Sequence, residues 1–210
     1  GDDYLQYAKE AGGNRTMYLE GQLSYSRLLA DNHQIDGLLL YNMRDYVNAD
    51  AASAIYSLPY RTQGIAARLS YSYKGRYFIE GNFGYNGSEN FSKGNKWGFF
   101  PSVSAAWVIS EERFMKRLPV IDNLKFRIGY GLAGNQSGID SYTTLSLVKP
   151  NGVIPVGNSA AVSLGDLRNT NPDLKWEVKH TFNTGIDLAM FGNRLLLSAN
   201  YYNSKTTDML

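Results

Sequence analysis

The feature that most constrains this chain is apolar/polar alternation sustained over runs of about 9–13 residues. After Gly64, Ile65, Ala67, Leu69, Tyr71 and Tyr73 fall on one side of an extended chain, and Ala66, Arg68, Ser70 and Ser72 on the other. Beyond Lys74-Gly75-Arg76 the pattern resumes, with Tyr77, Ile79, Gly81, Phe83 and Tyr85 against Phe78, Glu80, Asn82, Gly84 and Asn86. A period of two places successive side chains on opposite faces of a strand. Two such runs around a short turn at Gly75 predict a β-hairpin. Met17, Leu19, Leu23 and Tyr25 alternate with Glu20, Gln22, Ser24 and Ser26, and after a turn at 30–33 comes Ile35, Gly37, Leu39, Tyr41 and Met43. Val178 to Leu188 and Leu195 to Tyr202 repeat the arrangement around 191–194. Segments 101–109 and 124–132 lie between, which makes about eight strands, with a weaker candidate at 142–148.

Runs of this length exceed the ~5–6 residues typical of soluble sheets and match the ~9–11 that cross a bilayer. The connections alternate in size. Those at 30–33, 74–76 and 192–194 are tight, whereas 45–63, 87–98 and 133–175 are long, polar and rich in Asn, Gly and Ser. Short turns at one end and long loops at the other mark an outer-membrane barrel. The connection 110–123 falls on the short-turn side. There Ser110 is expected to cap a short helix near 110–117, with Glu111 and Glu112 in its first turn. Aromatic residues gather near strand ends: Tyr71, Tyr73, Tyr77 and Phe78 at one, Tyr85, Phe91, Trp97, Phe99 and Phe100 at the other. That distribution suits interfacial girdles. The expected fold is all-β, an antiparallel transmembrane β-barrel segment. A soluble β-sandwich with an aromatic core is the competing arrangement.

Composition removes several function classes. Lys and Arg number 21 against 19 Asp and Glu, a net charge of +2, so no field draws nucleic acid. Cysteine is absent, which excludes disulfides, thiolate metal sites and cysteine nucleophiles. No apolar run approaches the ~18 residues of a transmembrane helix. Gly129-Tyr130-Gly131-Leu132-Ala133-Gly134 matches G-x-G-x-x-G, but Asn135-Gln136-Ser137-Gly138 follows instead of a helix that would meet a pyrophosphate. Asp2, Asp3, Glu89, Glu111, Glu112, Asp166 and Asp173 form no recognisable catalytic pair, and calcium binding by loop carboxylates stays open. His33 and His180 lack a metal-ligand spacing, and no G-x-S-x-G elbow occurs. Neither catalysis nor a cofactor is expected.

Longer words in the sequence carry a resemblance. They are Leu58-Pro59-Tyr60-Arg61, the run from Arg68 to Tyr77, the run from Asn95 to Trp107 closed by Ile109-Ser110-Glu111-Glu112, and Leu124-Lys125-Phe126-Arg127 through Gly134-Asn135-Gln136. Asn171-Pro172-Asp173-Leu174-Lys175-Trp176-Glu177 and Phe191-Gly192-Asn193-Arg194-Leu195 complete the series. Together they resemble the barrel of SusC/RagA-type TonB-dependent transporters. The resemblance implies an N-terminal plug and a barrel of about 22 strands in the outer membrane of a Gram-negative bacterium. It further implies import of oligosaccharides or peptides, a SusD-like surface lipoprotein as lid, and energy delivered through TonB. Residues 1–210 then read as a partial barrel in contact with outer-membrane lipid, its plug and signal peptide outside the sequence given.

Within that reading, Arg68, Ser70, Ser72, Asn183 and Asp187 face the lumen. Tyr46, Asn48, Tyr56, Tyr60 and Trp97 are the candidate ligand contacts, because aromatic faces beside amides suit sugars. A surface receptor or adhesin barrel, or a soluble carbohydrate-binding sandwich, are the alternative functions.

Overall fold

The computed structural model describes residues 13–48, 58–139, 144, 148–156, 159–166, 171 and 173–209. Among these residues ten strands follow one another: β1 (Asn14–Leu29), β2 (His33–Asn48), β3 (Tyr60–Tyr73), β4 (Tyr77–Ser88), β5 (Trp97–Val108), β6 (Ile121–Asn135), β7 (Val148–Val156), β8 (Ser159–Asp166), β9 (Glu177–Met190) and β10 (Leu195–Thr207). Eight form one antiparallel sheet in the order β1-β2-β3-β4-β5-β6-β9-β10, and β7 pairs β8 as a separate hairpin. The sheet is an open arc, with β1 and β10 at its edges. Its strands run 12–16 residues. At about 3.4 Å per residue and a tilt of about 45°, each covers roughly 30–40 Å, enough for the ~30 Å hydrocarbon layer.

Register sorts the side chains as the alternation predicts. One continuous row is Ser26, Asp36, Ser70, Glu80, Ser104, Gly129, Asn183 and Tyr202. The row beside it on the opposite face is Tyr25, Gly37, Leu69, Gly81, Val103, Tyr130 and Phe182. The apolar face is bare: Leu23 is 69% exposed, Leu69 61% and Leu197 58%. A sandwich would bury that face under a second sheet. The polar face borders a cavity of about 570 Å³, lined by residues from Gln34 on β2 to Asn183 on β9. One cavity touching strands so far apart in the sheet means that the polar face is the concave one.

All short connections lie at one end. Lys74 and Gly75 have φ of 52° and 64°, and Arg76 N–H donates to Tyr73 O at 2.9 Å. Positive φ at both central residues is what a type I′ hairpin turn requires, and its twist matches that of the strands. Neighbouring turns are tied together: Lys74 N–H donates to Asn32 O at 2.7 Å and Phe191 N–H to Val120 O at 3.0 Å.

Four local expectations need correction. No capped helix occupies 110–117; Ile109–Glu111 and Met115–Arg117 are separate three-residue 3-10 turns. Ser110 caps nothing and donates to Asn123 Oδ1 at 3.3 Å, while the Glu112 carboxylate is held by strand residues rather than by a helix start. Connection 133–175 contains β7 and β8; of the strand candidate 142–148, only Thr144 and Val148 lie among the described residues, and Val148 begins β7. Connection 45–63 is shorter than expected, because β2 runs on to Asn48 and β3 starts at Tyr60. Finally, Phe78, Phe91 and Phe100 are not girdle residues. Phe78 lies in the polar-face row with Ser72 and Ala106, under the ammonium of Lys125 at 5.3 Å. Phe91 and Phe100 are buried in a cluster at the loop end.

Candidate functional site

On the polar face side chains as well as backbone bridge β1 to β2, β3 to β4, β4 to β5, β6 to β9 and β9 to β10. Ser26 Oγ and Gln34 Nε2 donate to Asp36 Oδ1 at 2.6 and 2.8 Å, and Ser70 Oγ donates to Glu80 Oε2 at 2.8 Å. Further along, Arg127 grips Asp187 with Nε to Oδ2 at 2.7 Å and Nη2 to Oδ1 at 2.9 Å. The same Nη2 reaches Asn200 Oδ1 at 3.0 Å, and Ser198 Oγ adds a bond to Asp187 at 2.7 Å. These ties join β6, β9 and β10 on one surface. The fork geometry fixes both planes, which a lysine could not do. The carboxylates of Asp36, Glu80 and Asp187 on this face are each hydrogen-bonded to a side chain of a neighbouring strand.

At the loop end the wall thickens. Phe91, from the β4–β5 connection, is 1% exposed and lies 4.8 Å from Trp176, centroid to centroid. Phe100 of β5 meets Trp176 edge-on at 5.5 Å, and Leu132, Ile139, Leu174 and Val178 pack around the three rings. The β5–β6 ladder ends at Ser102 and Gly131, whereas β6 stays paired with β9 to Asn135 and Glu177. Phe100 reaches across beyond that last β5–β6 pair: a Cβ on Gly134 would lie 2.0 Å from its Cζ, and one on Gly98 2.3 Å. Two bonds pin the loops to each other, Trp176 Nε1–H to Lys96 O and Asn95 Nδ2–H to Leu174 O, both at 3.1 Å.

The candidate ligand residues divide between faces. Tyr46 and Tyr60 are direct cross-strand partners, half-buried, and by register share the polar side with Asp36 and Ser70. Asn48 ends β2 opposite Asn14. Trp97 lies on the other face, in the row Met43, Gln63, Gly87, Trp97. Its ring stacks on Tyr85 at 4.8 Å and 14°, over Gly87, whose missing side chain leaves room for it. Beside it a cleft of about 190 Å³ carries the ion pairs Arg61–Asp45 and Lys96–Glu89. Tyr56 lies outside the described residues. Sequence reasoning placed Phe91 and Phe100 in a girdle and gave Trp176 no packing role. The buried ends of the loops show no periodicity, and only the Gly98 and Gly134 spacing around Phe100 hints at the contact.

The turn end of the apolar face holds an aromatic row, His33, Tyr73, Tyr77 and Trp107, with successive centroids 4.8, 6.4 and 6.3 Å apart. Glu112 anchors it from the connecting turn. The Tyr77 hydroxyl at 2.5 Å holds that carboxyl below the usual glutamate range, against a smaller opposing effect of burial. Trp107 Nε1–H at 3.3 Å and the Arg76 guanidinium at 3.7 Å act in the same direction as Tyr77.

The profile of the TonB dependent receptor-like β-barrel matches residues 1–210. The chain belongs to that family. A TonB-dependent receptor of Formosa agariphila is 33% identical over 217 residues, covering 100% of this chain and 22% of the relative. The TonB-dependent receptor SusC of Bacteroides thetaiotaomicron is 36% identical over 146 residues, 68% of this chain and 14% of that protein. The structure of the RagAB peptide transporter superposes with a TM-score of 0.76 at 22% identity, over 94% of this chain and 24% of the other. The chain therefore spans about a fifth of the length of the Formosa relative and 14% of SusC. Family membership makes it a β-barrel segment of a transporter and receptor class rather than of an enzyme class. Gly129 to Gly134 lies within β6.

Proposed function

We propose that this chain is wall of an outer-membrane, TonB-dependent importer of oligosaccharides or other large nutrients in a Gram-negative bacterium. The observation that carries the reading is the two-faced sheet: an apolar face bare along all eight strands, backed by a polar face whose carboxylates are bonded across strands. Only a bilayer on one side and water on the other suits both. In this reading Arg68, Ser70, Ser72, Asn183 and Asp187 line the solute path, and Tyr46 and Tyr60 stand at its outer mouth. A SusD-like lipoprotein closes the mouth, and TonB pulls on the N-terminal part of the full protein. The open edges of β1 and β10 are completed by further strands, since an unpaired edge has no partner in hydrocarbon.

Deletion of the full-length gene in the source bacterium tests this. The expected result is loss of uptake of one class of large nutrient, restored by the gene and abolished by a protonophore. Growth unchanged on every oligosaccharide and peptide supplied, with the protein found by antibody in the soluble fraction, would overturn it.

A further inference from the structure

A cavity of about 530 Å³ opens near the turn end of the sheet, within the range of roughly 300–1,000 Å³ that ligand clefts occupy. Its lining includes Tyr77, Ala105, Trp107, Phe126 and Ile128, which register places on the apolar face, and the remaining two residues, Phe78 and Ala106, are apolar as well. Ala105 is the low point, set between two isoleucines in the cross-strand row Tyr71, Ile79, Ala105, Ile128. In the next row of the same face Gly81 leaves open space, where a Cβ would meet nothing within 4 Å. The polar side-chain atoms of the lining, the Tyr77 hydroxyl and Trp107 Nε1–H, are both bonded to Glu112, at 2.5 and 3.3 Å. What remains is a groove for hydrocarbon.

Glu112 also fixes what stands at the groove's rim. Through those two bonds it holds the β5–β6 connection against Tyr77 and Trp107, and the next residues are Arg113, Phe114, Met115, Lys116, Arg117 and Leu118. Arg113, Lys116 and Arg117 are exposed, and none of their side chains has a hydrogen-bond or ion-pair partner among the described residues. Glu112 is matched by Arg76 at 3.7 Å, which leaves Glu111 alone in the connection against the three cations. Phe114 and Leu118, each more than half exposed, stand among them. Cations interleaved with exposed apolar side chains suit the headgroup layer of a membrane, where the apolar groups enter the interface and the cations meet phosphate.

We propose that this end of the wall binds one anionic phospholipid of the periplasmic leaflet, an acyl chain lying over Ala105 in the groove and the phosphate held by Arg113, Lys116 and Arg117. Bulk lipid is as apolar as the groove, so hydrocarbon contact by itself gives no preference for one lipid over another. The headgroup decides. A net anion is favoured at an unpaired excess of positive charge, whereas a zwitterion brings its own ammonium to the same cations. The inference rests on the membrane placement in the import reading and is independent of the solute carried.

Native mass spectrometry of the full-length transporter tests it. The protein is delipidated in detergent and titrated with phosphatidylglycerol or phosphatidylcholine of identical chains. The first phosphatidylglycerol is expected to bind roughly ten- to hundred-fold more tightly than the first phosphatidylcholine. Arg113→Gln combined with Lys116→Gln and Arg117→Gln is expected to abolish that preference, and Ala105→Phe, which fills the groove, to lower it several-fold. Lys93→Gln at the loop end is expected to leave it unchanged. Equal affinity for the two lipids, or a preference that survives the triple variant, overturns the site. A preference lost in the triple variant but intact in Ala105→Phe overturns the placing of the chain in the groove. Heat-modifiable migration is read on the same samples, so a missing preference in an assembled barrel refutes this site alone, and a protein that forms no barrel refutes the wall reading.

Discussion

Gly134→Ala is the substitution whose consequence the structure fixes most closely. The added methyl would lie 2.0 Å from Phe100 Cζ and 2.5 Å from Cε1 and Cε2, where carbon atoms prefer about 3.5–4.0 Å. The ring cannot simply swing aside. Trp176 meets it at 5.5 Å, Gly98 already backs it, and the cluster is closed by Phe91. Overpacking of this kind costs about 1–3 kcal/mol. Phe100→Ala alone costs about 3–5 kcal/mol by leaving a cavity. With the ring removed, however, the alanine methyl has room, so Gly134→Ala becomes nearly neutral in the Phe100→Ala background. The coupling is about as large as the single Gly134→Ala effect.

The loops report it. Lys93 and Lys96 belong to the connection that Phe91 anchors, so trypsin reads opening of the cluster in the intact transporter in outer-membrane vesicles. When opening and closing are fast, cleavage follows the open population. Gly134→Ala is expected to speed cleavage about 5- to 150-fold in the native background and by less than about two-fold beside Phe100→Ala. Equal acceleration in both backgrounds, or none in either, would refute the wedge.

The sheet's two faces make paired predictions. Val103, 52% exposed on the apolar face, becomes about 2–4 kcal/mol less stable as Val103→Arg, whereas Ser104→Arg on the polar face is tolerated, read by urea unfolding of the full barrel in vesicles. Arg127→Ala removes the fork to Asp187, whose side chains are about one-third exposed, and is expected to cost no more than about 1 kcal/mol in the same assay. Glu112 sits below its ordinary pKa in the fold, so its contribution is present above the usual 4.5 and is lost as pH falls through the lower folded value. Glu112→Gln should therefore remove part of the acid-side slope in a stability-against-pH series and leave the neutral range flat.

Much of this arrangement is legible in residue order, and the reason is the pleat. Period-two runs such as Ile65 to Tyr73 assign faces without any knowledge of neighbours, and the Lys74-Gly75 turn fixes the register of β3 against β4. Where alternation stops, legibility stops. Asp45 and Tyr46, with Tyr60 to Gln63, look like polar loop yet extend the β2–β3 ladder, and Val47 and Asn48 extend β2 against β1, because a strand end above the apolar layer needs no apolar face. Ser110 followed by Glu111 and Glu112 imitates a helix start, but Tyr77 and Trp107 claim the Glu112 carboxylate first. Phe91 and Phe100 resemble girdle aromatics by position and are buried through contact with Trp176, more than 75 residues away, a pairing no local pattern announces.

The absence of cysteine from this chain makes its central claim directly measurable. Single cysteines placed at 65–72 on β3 of the full transporter, its other cysteines replaced, are exposed in vesicles to a charged maleimide and to a lipid-phase quencher. Ala66, Arg68, Ser70 and Ser72 are expected to react with the water-borne reagent, and Ile65, Ala67, Leu69 and Tyr71 to report only the lipid. A reactivity pattern without period two, or with the two sets exchanged, would contradict a wall with lipid on one side and a solute path on the other.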